Sequence, residues 1–544
     1  VRGRSAPGAI TVYCAMVFLL LAGLIGVMLE RAHQSAVRVN AGLSIRSALG
    51  SLFSEYDADL YGEYGLLFYN EELSGGYEEA KLAAYMAAAS LSPSGADLLR
   101  YHDPYVWVND RYYAVDDHGI FFEREVVELM KVLEVTSLAN ELTHFSTLLD
   151  NANSAKDYLD DADSEYENTD WKEVFAEEES LEAEESSSQE STLETYPADT
   201  STSAEEESLP ESSGTGEEST GPGDTQQEST ENASGESTTE EETTSEPDKA
   251  QKVEDEVNKS IIAQVKELLT DVGLTFYLGD TEGISGTDKE PTLSPGENHG
   301  IGMGGGDTLL NSVLFGEYIL RYLSYYTVDK HASGMQYEVE YVLWGHDSDK
   351  ANLLATVAAI SGVRTAFNSV TILANPQLYE QAKEKAVAMV GWTGNALIIK
   401  LIELMLVAAW AYCESILDVR ALCKGEKLPI VKSADEWTTT LGECVSKVLS
   451  GEAAESGDRG IDYKAYLRIL LFLENREDKI MRTMQAIEWD MKRRDVVFSF
   501  GSCIYAMEVT ARIKVEPVFS ALTGLFVNDN ELDNRIKIRW SHTY

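Results

Sequence analysis

Between Ile10 and Leu29 the chain carries no charged side chain. Roughly 20 such residues are what a helix needs to cross a hydrocarbon core of about 30 Å. So long an uncharged run has few stable homes, and it constrains everything after it. Residues 9–29 read as a transmembrane helix, preceded by a short basic start at residues 1–8 with Arg2 and Arg4. A cleaved secretory signal would end in a small-x-small site just after a shorter apolar core, but Ala22, Gly23 and Gly26 lie inside this run. Apolar residues then continue at roughly helical spacing through Ala36, Val39, Leu43, Leu49, Leu52 and Phe53. One long helix is expected to leave the membrane as a stalk and to pack an apolar face on a domain outside the bilayer. The basic start places the amino terminus in the cytoplasm, which makes the bulk of the chain extracytoplasmic.

The formal charge of −50 is unevenly spread. Residues 157–256 hold 35 acidic side chains against Lys172, Lys249 and Lys252, so −32 of the total belongs to that stretch. Tracts such as Glu177-Glu178-Glu179 among Ser and Thr leave too little apolar surface to offset chain entropy, and an extended disordered insert is expected there. The remainder is only mildly acidic, and a chain of this charge is a poor partner for nucleic acid, which binds by having its phosphates neutralised. The five cysteines show no C-x-x-C spacing, which leaves buried thiols or two disulfides. With 44% hydrophobic residues among 544, sizeable cores can be buried.

Periodicity divides the rest. Residues 30–156 read as the stalk and a first α/β part, with strands broken by turns over 104–122 and a helix from Phe122 to Leu149. Residues 257–307 read as a helix and a Gly-rich linker, and 308–544 as a helix-rich α+β domain. Within that domain helices are expected at Leu309–Tyr326, Asp347–Leu373, Pro376–Met389, Ala396–Leu422, Asp462–Glu474 and Lys479–Lys492. Tyr337–Gly345 alternates cleanly and reads as a strand, as do Ala506–Val515 and Arg535–Trp540. The fold class is α+β: a helix-rich extracytoplasmic domain with a small antiparallel sheet on an N-terminal transmembrane helix. Ala396–Leu422 rivals the first helix as a membrane span, but Lys400, Glu403 and Glu414 would each cost roughly 2.5–3.5 kcal/mol at a membrane centre. It reads as the buried centre of the domain, with Lys400 and Glu403 paired on one face.

The opening Gly8-Ala9-Ile10-Thr11-Val12-Tyr13 resembles the start of the pilin-like TadE and TadG proteins of tight-adherence loci. Where such a start carries a Glu shortly after the processed Gly, this chain has Tyr13, which fits an uncleaved anchor. That opening, Glu55-Tyr56-Asp57 with Tyr64-Gly65-Leu66, Glu317 to Tyr322 before Tyr337 to Tyr341, Gly394-Asn395, Glu414 to Arg420 and Asp462 to Leu467 together resemble the DUF5702 family. The resemblance implies a single-pass envelope protein of clostridia-like bacteria, often encoded near tight-adherence pilus genes. It implies no activity.

Chemistry-bearing residues are weakly patterned. Gly300 to Gly305 satisfies G-x-G-x-x-G before a helix, but Pro291, Pro295 and Gly296 stand where a dinucleotide fold would need a strand, so the segment reads as a linker. His299, His331 and His346 lack the spacing of a metal pair. Glu55, Asp57 and Asp59 alternate with aromatics as a solvated helix face would. Glu414, Asp418 and Arg420 read as a structural carboxylate and Arg pairing. No catalytic, cofactor-binding or metal-binding residue is assigned, and no cofactor is expected. The expected partners are the lipid membrane and pilus or secretion-assembly proteins. The leading reading is a non-enzymatic envelope protein working with a tight-adherence pilus or secretion apparatus; the alternative is a surface hydrolase or carbohydrate-binding domain on a membrane stalk.

Overall fold

The computed structural model describes residues 7–90, 99–132, 246–270, 273–286, 293–300, 308–328, 335–455, 460–518 and 535–544, with residues 157, 161, 164, 168 and 457. The basic start at 1–6, most of the acidic stretch, the second half of the expected helix to Leu149, His331, and Ile301 to Gly305 lie outside them.

Helix α1 (Pro7–Phe53) is continuous for 47 residues, about 70 Å at 1.5 Å per residue. Its lower half is bare, with Ile10, Phe18, Leu20 and Met28 each more than 60% exposed. Its upper half is packed, on the expected face at Leu49, Leu52 and Phe53 but on a different one below them. Val37, Ala41, Ile45 and Ala48 are buried with Leu49, Leu52 and Phe53, while Val39 and Leu43 are exposed. Alanines at 41 and 48 keep that face narrow, and its neighbours include Leu82 and Met86. Helical spacing leaves the buried face undetermined when apolar residues occupy more than one stripe.

After α1 come α2 (Ala58–Tyr64), the two-residue β1 (Tyr69–Asn70), α3 (Glu78–Ser90) and β2 (His102–Tyr113). Asp57 caps α2 by accepting from the N–H groups of Asp59 and Leu60, and Gly65 ends it in the left-handed region. Helix α4 (Ile120–Val132) follows a turn in which Asp117 and His118 both take positive φ. The segment 104–122, expected as broken strands, is thus one strand, a turn and a helix start.

The chain resumes with α5 (Glu246–Asn258), α6 (Ile261–Thr270) and α7 (Leu274–Leu278). Helix α5 occupies the end of the stretch expected to be disordered. Ala250, Val253 and Val257 recur at helical spacing and are buried, so the apolar stripe outweighs the acidic composition around it. Helices α8 (Thr308–Tyr322), α9 (Glu338–Trp344), α10 (Asp349–Ala374), α11 (Pro376–Val390), α12 (Ala396–Cys423), α13 (Cys444–Leu449), α14 (Tyr463–Leu473) and α15 (Arg476–Lys492) complete the helical part, before β3 (Cys503–Lys514) and β4 (Arg535–Thr543). Side-chain caps set several boundaries: Ser348 starts α10, Asn375 closes it and opens α11 with Pro376 behind, and Asn395, Asp462 and Asn475 start α12, α14 and α15.

Helix α9 corrects the strand expected at Tyr337–Gly345. All residues from Glu338 to Leu343 are buried, so no solvent face exists to reveal the true period. The glutamates that suggested a wet strand face instead accept hydrogen bonds inside the core, Glu338 from the Ser324 N–H at 2.7 Å and Glu340 from the Tyr326 N–H at 2.9 Å. Gly345 ends the helix at φ 65°, donating to the Tyr341 carbonyl at 2.7 Å. Gly345→Ala must hold an L residue in that region and displace the Arg482 side chain, whose Nε lies 2.6 Å from where the added methyl would stand. A loss of about 1–2 kcal/mol is expected, read as a lower urea midpoint.

The sheet is built around β3. It pairs antiparallel with β2 on one side and with β4 and β1 on the other, and Val509 stands opposite both Val108 and Trp540. Residues 506–515 and 535–540 therefore do pair, while 337–345 takes no part. Helices α1 and α3 cover one face around Val106, Met507, Ala511 and Ile513. A larger core runs through the helices, and residues from both sides of the acidic stretch share it: Phe122 meets Phe315 at 6.0 Å and Phe500 at 5.3 Å between ring centroids.

Candidate functional site

Helix α12 passes through the middle of the helical part. Twenty-one of its 28 residues are buried, Trp410, Ile416 and Leu417 among them. Lys400 meets Glu403 at 2.9 Å, as their spacing predicts. Glu414 and Asp418 are one turn apart on one face, and both carboxylates are fully buried. Lys432, from the loop after α12, approaches Glu414 and Asp418 at 2.5 Å each. Arg364, from α10, donates its Nε to Asp418 at 2.9 Å. Its Nη1 donates to the carbonyls of Pro429 and Ile430 at 2.7 and 3.0 Å, and Tyr466 and Asn368 complete the surroundings. Glu414 also accepts from the Thr438 N–H and the Thr439 hydroxyl. Two cations and two anions make this buried quartet neutral, with most lone pairs and protons used, which is the arrangement a buried charge cluster needs.

Arg420, read from sequence as part of the same pair, faces elsewhere. Residues two apart on a helix point to different sides, and that spacing alone could have separated it from Asp418. Arg364 was missed although it is the only charged residue between Lys350 and the end of α10, where a buried cation requires a buried partner. Lys432 had no local signal, because the chain reversal after Gly425 brings it back against α12.

A cavity of about 350 Å³ lies beside Arg420, between α7, the end of α12 and α13. Phe276, Tyr277, Tyr326, Cys423 and Lys424 also line it, and its described wall holds no carboxylate. The carboxyls that burial pushes up to about 7, Glu125 and Glu340, do not line the cavity, although Glu340 lies behind its wall and accepts from the Tyr326 N–H. The convergent pair of carboxylates that a hydrolase would need is therefore not at this cavity.

The other sequence candidates have structural partners. Asp57 serves as the cap of α2 and accepts from Asn70 at 3.1 Å, and Glu55 pairs with Lys81. His299 contacts Asp116 at 3.2 Å, and the Gly300 N–H donates to Asp117 and Asn298, which fixes the start of the Gly-rich segment against the turn before α4. The backbone of His346 donates to Asn352. Among the described residues no three His, Cys, Asp or Glu side chains form a group able to hold a metal ion. Cys413, Cys444 and Cys503 are buried free thiols.

Three described helices are long and apolar enough to cross a membrane: Ile10–Phe53, Asp349–Ala374 and Ala396–Cys423. The first is barely buried over its most apolar stretch, whereas the other two are more than half buried over theirs. No curated protein and no solved structure matches the chain. Residues 251–515, from α5 through the central helices to the end of β3, match the family model of DUF5702, a family of unknown function. Over this segment, which holds the buried quartet and the cavity beside Arg420, the chain is similar to the DUF5702 family.

Proposed function

We propose that the chain is a single-pass, non-enzymatic membrane protein whose folded part stands outside the cytoplasm and works with a tight-adherence pilus or secretion assembly. The observation that carries the reading is α1, a single helix with a bare apolar lower half and an upper half locked onto the sheet. Such a helix transmits the position of the anchor rigidly to the folded part. The Asp349–Ala374 and Ala396–Cys423 helices are read as core, because the Arg364, Glu414 and Asp418 charges they carry are met by Lys432 and by backbone groups of the surrounding loops. Crossing a bilayer would strip away those loop partners. The resemblance of the first residues to pilin-like starts supports the choice of company.

A phosphatase reporter fused after Leu60 is expected to be active on intact cells. Activity confined to the cytoplasm would reverse the orientation. Capture of the full chain in mild detergent is expected to recover pilus-assembly subunits, and their repeated absence under cross-linking would remove the assembly role while leaving the anchor.

A further inference from the structure

We propose that the cavity beside Arg420 binds a small organic anion, a carboxylate or phosphate monoester carried on an aromatic or aliphatic body. Arg420 is only 7% exposed. Its Nε and Nη2 donate to the Phe276 carbonyl at 3.3 and 2.7 Å, and its Nη1 donates to the carbonyls of Val448 and Glu452 at 2.8 and 3.0 Å. These carbonyls hold the guanidinium in place without cancelling its charge. Several buried or half-buried cations here meet carboxylates, Arg364 with Asp418, Lys432 with Glu414, Arg468 with Glu317 and Arg476 with Glu123, whereas buried Lys479 donates to the Ser312 hydroxyl and the Leu471 carbonyl and lines no part of this cavity. Arg420 pairs with none among the described residues, and a buried charge without a counter-ion is costly.

The surroundings supply the rest of an anion site. Lys424, four residues on and so on the same side of α12, brings a second cation to the wall. In a chain of net charge −50, a described wall with two cations and no carboxylate is a local reversal of sign. The Phe276 ring, 5.5 Å from the Arg420 guanidinium carbon, and Tyr326 offer apolar faces beside those charges. The volume, about 350 Å³, is at the small end of ligand sites and exceeds what a bare inorganic anion fills, which calls for an organic body. The four carbonyl bonds leave one Nη2 N–H of Arg420 to donate to a carboxylate or phosphate oxygen, with the Lys424 ammonium as the second charged donor.

The test titrates the full chain, in a neutral detergent, with phenyl phosphate, benzoate, phenol and inorganic phosphate, by calorimetry. One of the two aromatic anions is expected to bind one to one and at least tenfold more tightly than phenol, with inorganic phosphate at least tenfold weaker than phenyl phosphate. Lys424→Ala removes an exposed charge without disturbing the packed wall and is expected to weaken the better anion at least threefold. Arg420→Lys, which keeps a charge but cannot bond all three carbonyls and still present an N–H to the anion, is expected to weaken it further. Equal binding of phenol and both aromatic anions, or Lys424→Ala affinity equal to that of the unaltered chain, would overturn the proposal.

Discussion

Arg364→Met is expected to destabilise the protein by about 3–5 kcal/mol, the cost of leaving one partner of a buried charge pair uncompensated. A domain is typically stable by only about 5–15 kcal/mol, so this substitution removes a large share. The reason is specific to the quartet. Methionine fills much the same space, but Asp418 loses the guanidinium at 2.7 Å, and the carbonyls of Pro429 and Ile430 lose their donor. Lys432 then serves two carboxylates with one charge. Arg364→Lys keeps the charge but cannot reach both carbonyls and the carboxylate at once, so an intermediate loss is expected. In the double variant Arg364→Met with Asp418→Asn the neutral Lys432–Glu414 pair survives, and the loss is expected to be smaller than the sum of the two single losses. Urea unfolding of the four proteins, followed by circular dichroism, gives the coupling energy directly. Simple additivity would show that the pair acts independently and that packing alone holds this region.

The second large effect is a dependence on pH carried by Glu340. Burial pushes its carboxyl up to about 7, against hydrogen bonds from the Tyr326 N–H and the Tyr463 hydroxyl that favour the charged form. Its Oε2 is buried with no hydrogen-bond partner among the described residues. A carboxyl whose pKa is higher folded than unfolded keeps its proton longer in the folded state, so its contribution falls as pH rises. That contribution is intact below about 4.5, declines to about 7, and stays lost above. The total is about 3 kcal/mol at 1.36 kcal/mol per unit. Glu125, also pushed up to about 7 by burial, acts in the same direction and window. Carboxylates held in ion pairs act in the opposite sense, so the readout is a difference rather than a raw slope. The stability of Glu340→Gln minus that of the unaltered chain is expected to grow by about 2 kcal/mol between pH 5 and pH 7.5. A difference that stays flat would mean that Glu340 is already charged at pH 5. Measurements should stop below pH 8, where Lys479 begins to contribute; burial lowers its pKa to about 8, and its effect raises stability with pH above that point.

Legibility from sequence followed the physics of each element. Helices with caps and long periodic stripes, such as Asp349–Ala374 behind Ser348 and Ala396–Cys423 behind Asn395, were readable to within two residues or so. The strands Cys503–Lys514 and Arg535–Thr543 were readable because one face of β4 stays open. The short helix Glu338–Trp344 was not. Seven residues barely sample the helical period, and burial on all sides removes the polar face that would reveal it. On α1 the expected face held at Leu49, Leu52 and Phe53 but not at Ala36, Val39 and Leu43, for a related reason, since several stripes of that helix are apolar.

The candidate site shows the same division. That Lys400 and Glu403 would pair, and that Glu414 and Asp418 share a helix face, follows from spacing along one helix. Which cations meet Glu414 and Asp418 depends on α10 and on the loop carrying Lys432, and no local pattern encodes that meeting. The cavity beside Arg420 likewise exists only where α7, α12 and α13 come together. By itself the sequence determined the long uncharged apolar segment, because a single helix's length and composition decide whether it can cross a bilayer. It also determined the positions of the capped helices, because caps act within one turn. Only the tertiary structure decided which charges are buried together and that the Arg420 guanidinium is held by carbonyls at a cavity wall, because those outcomes depend on packing between elements far apart in the chain.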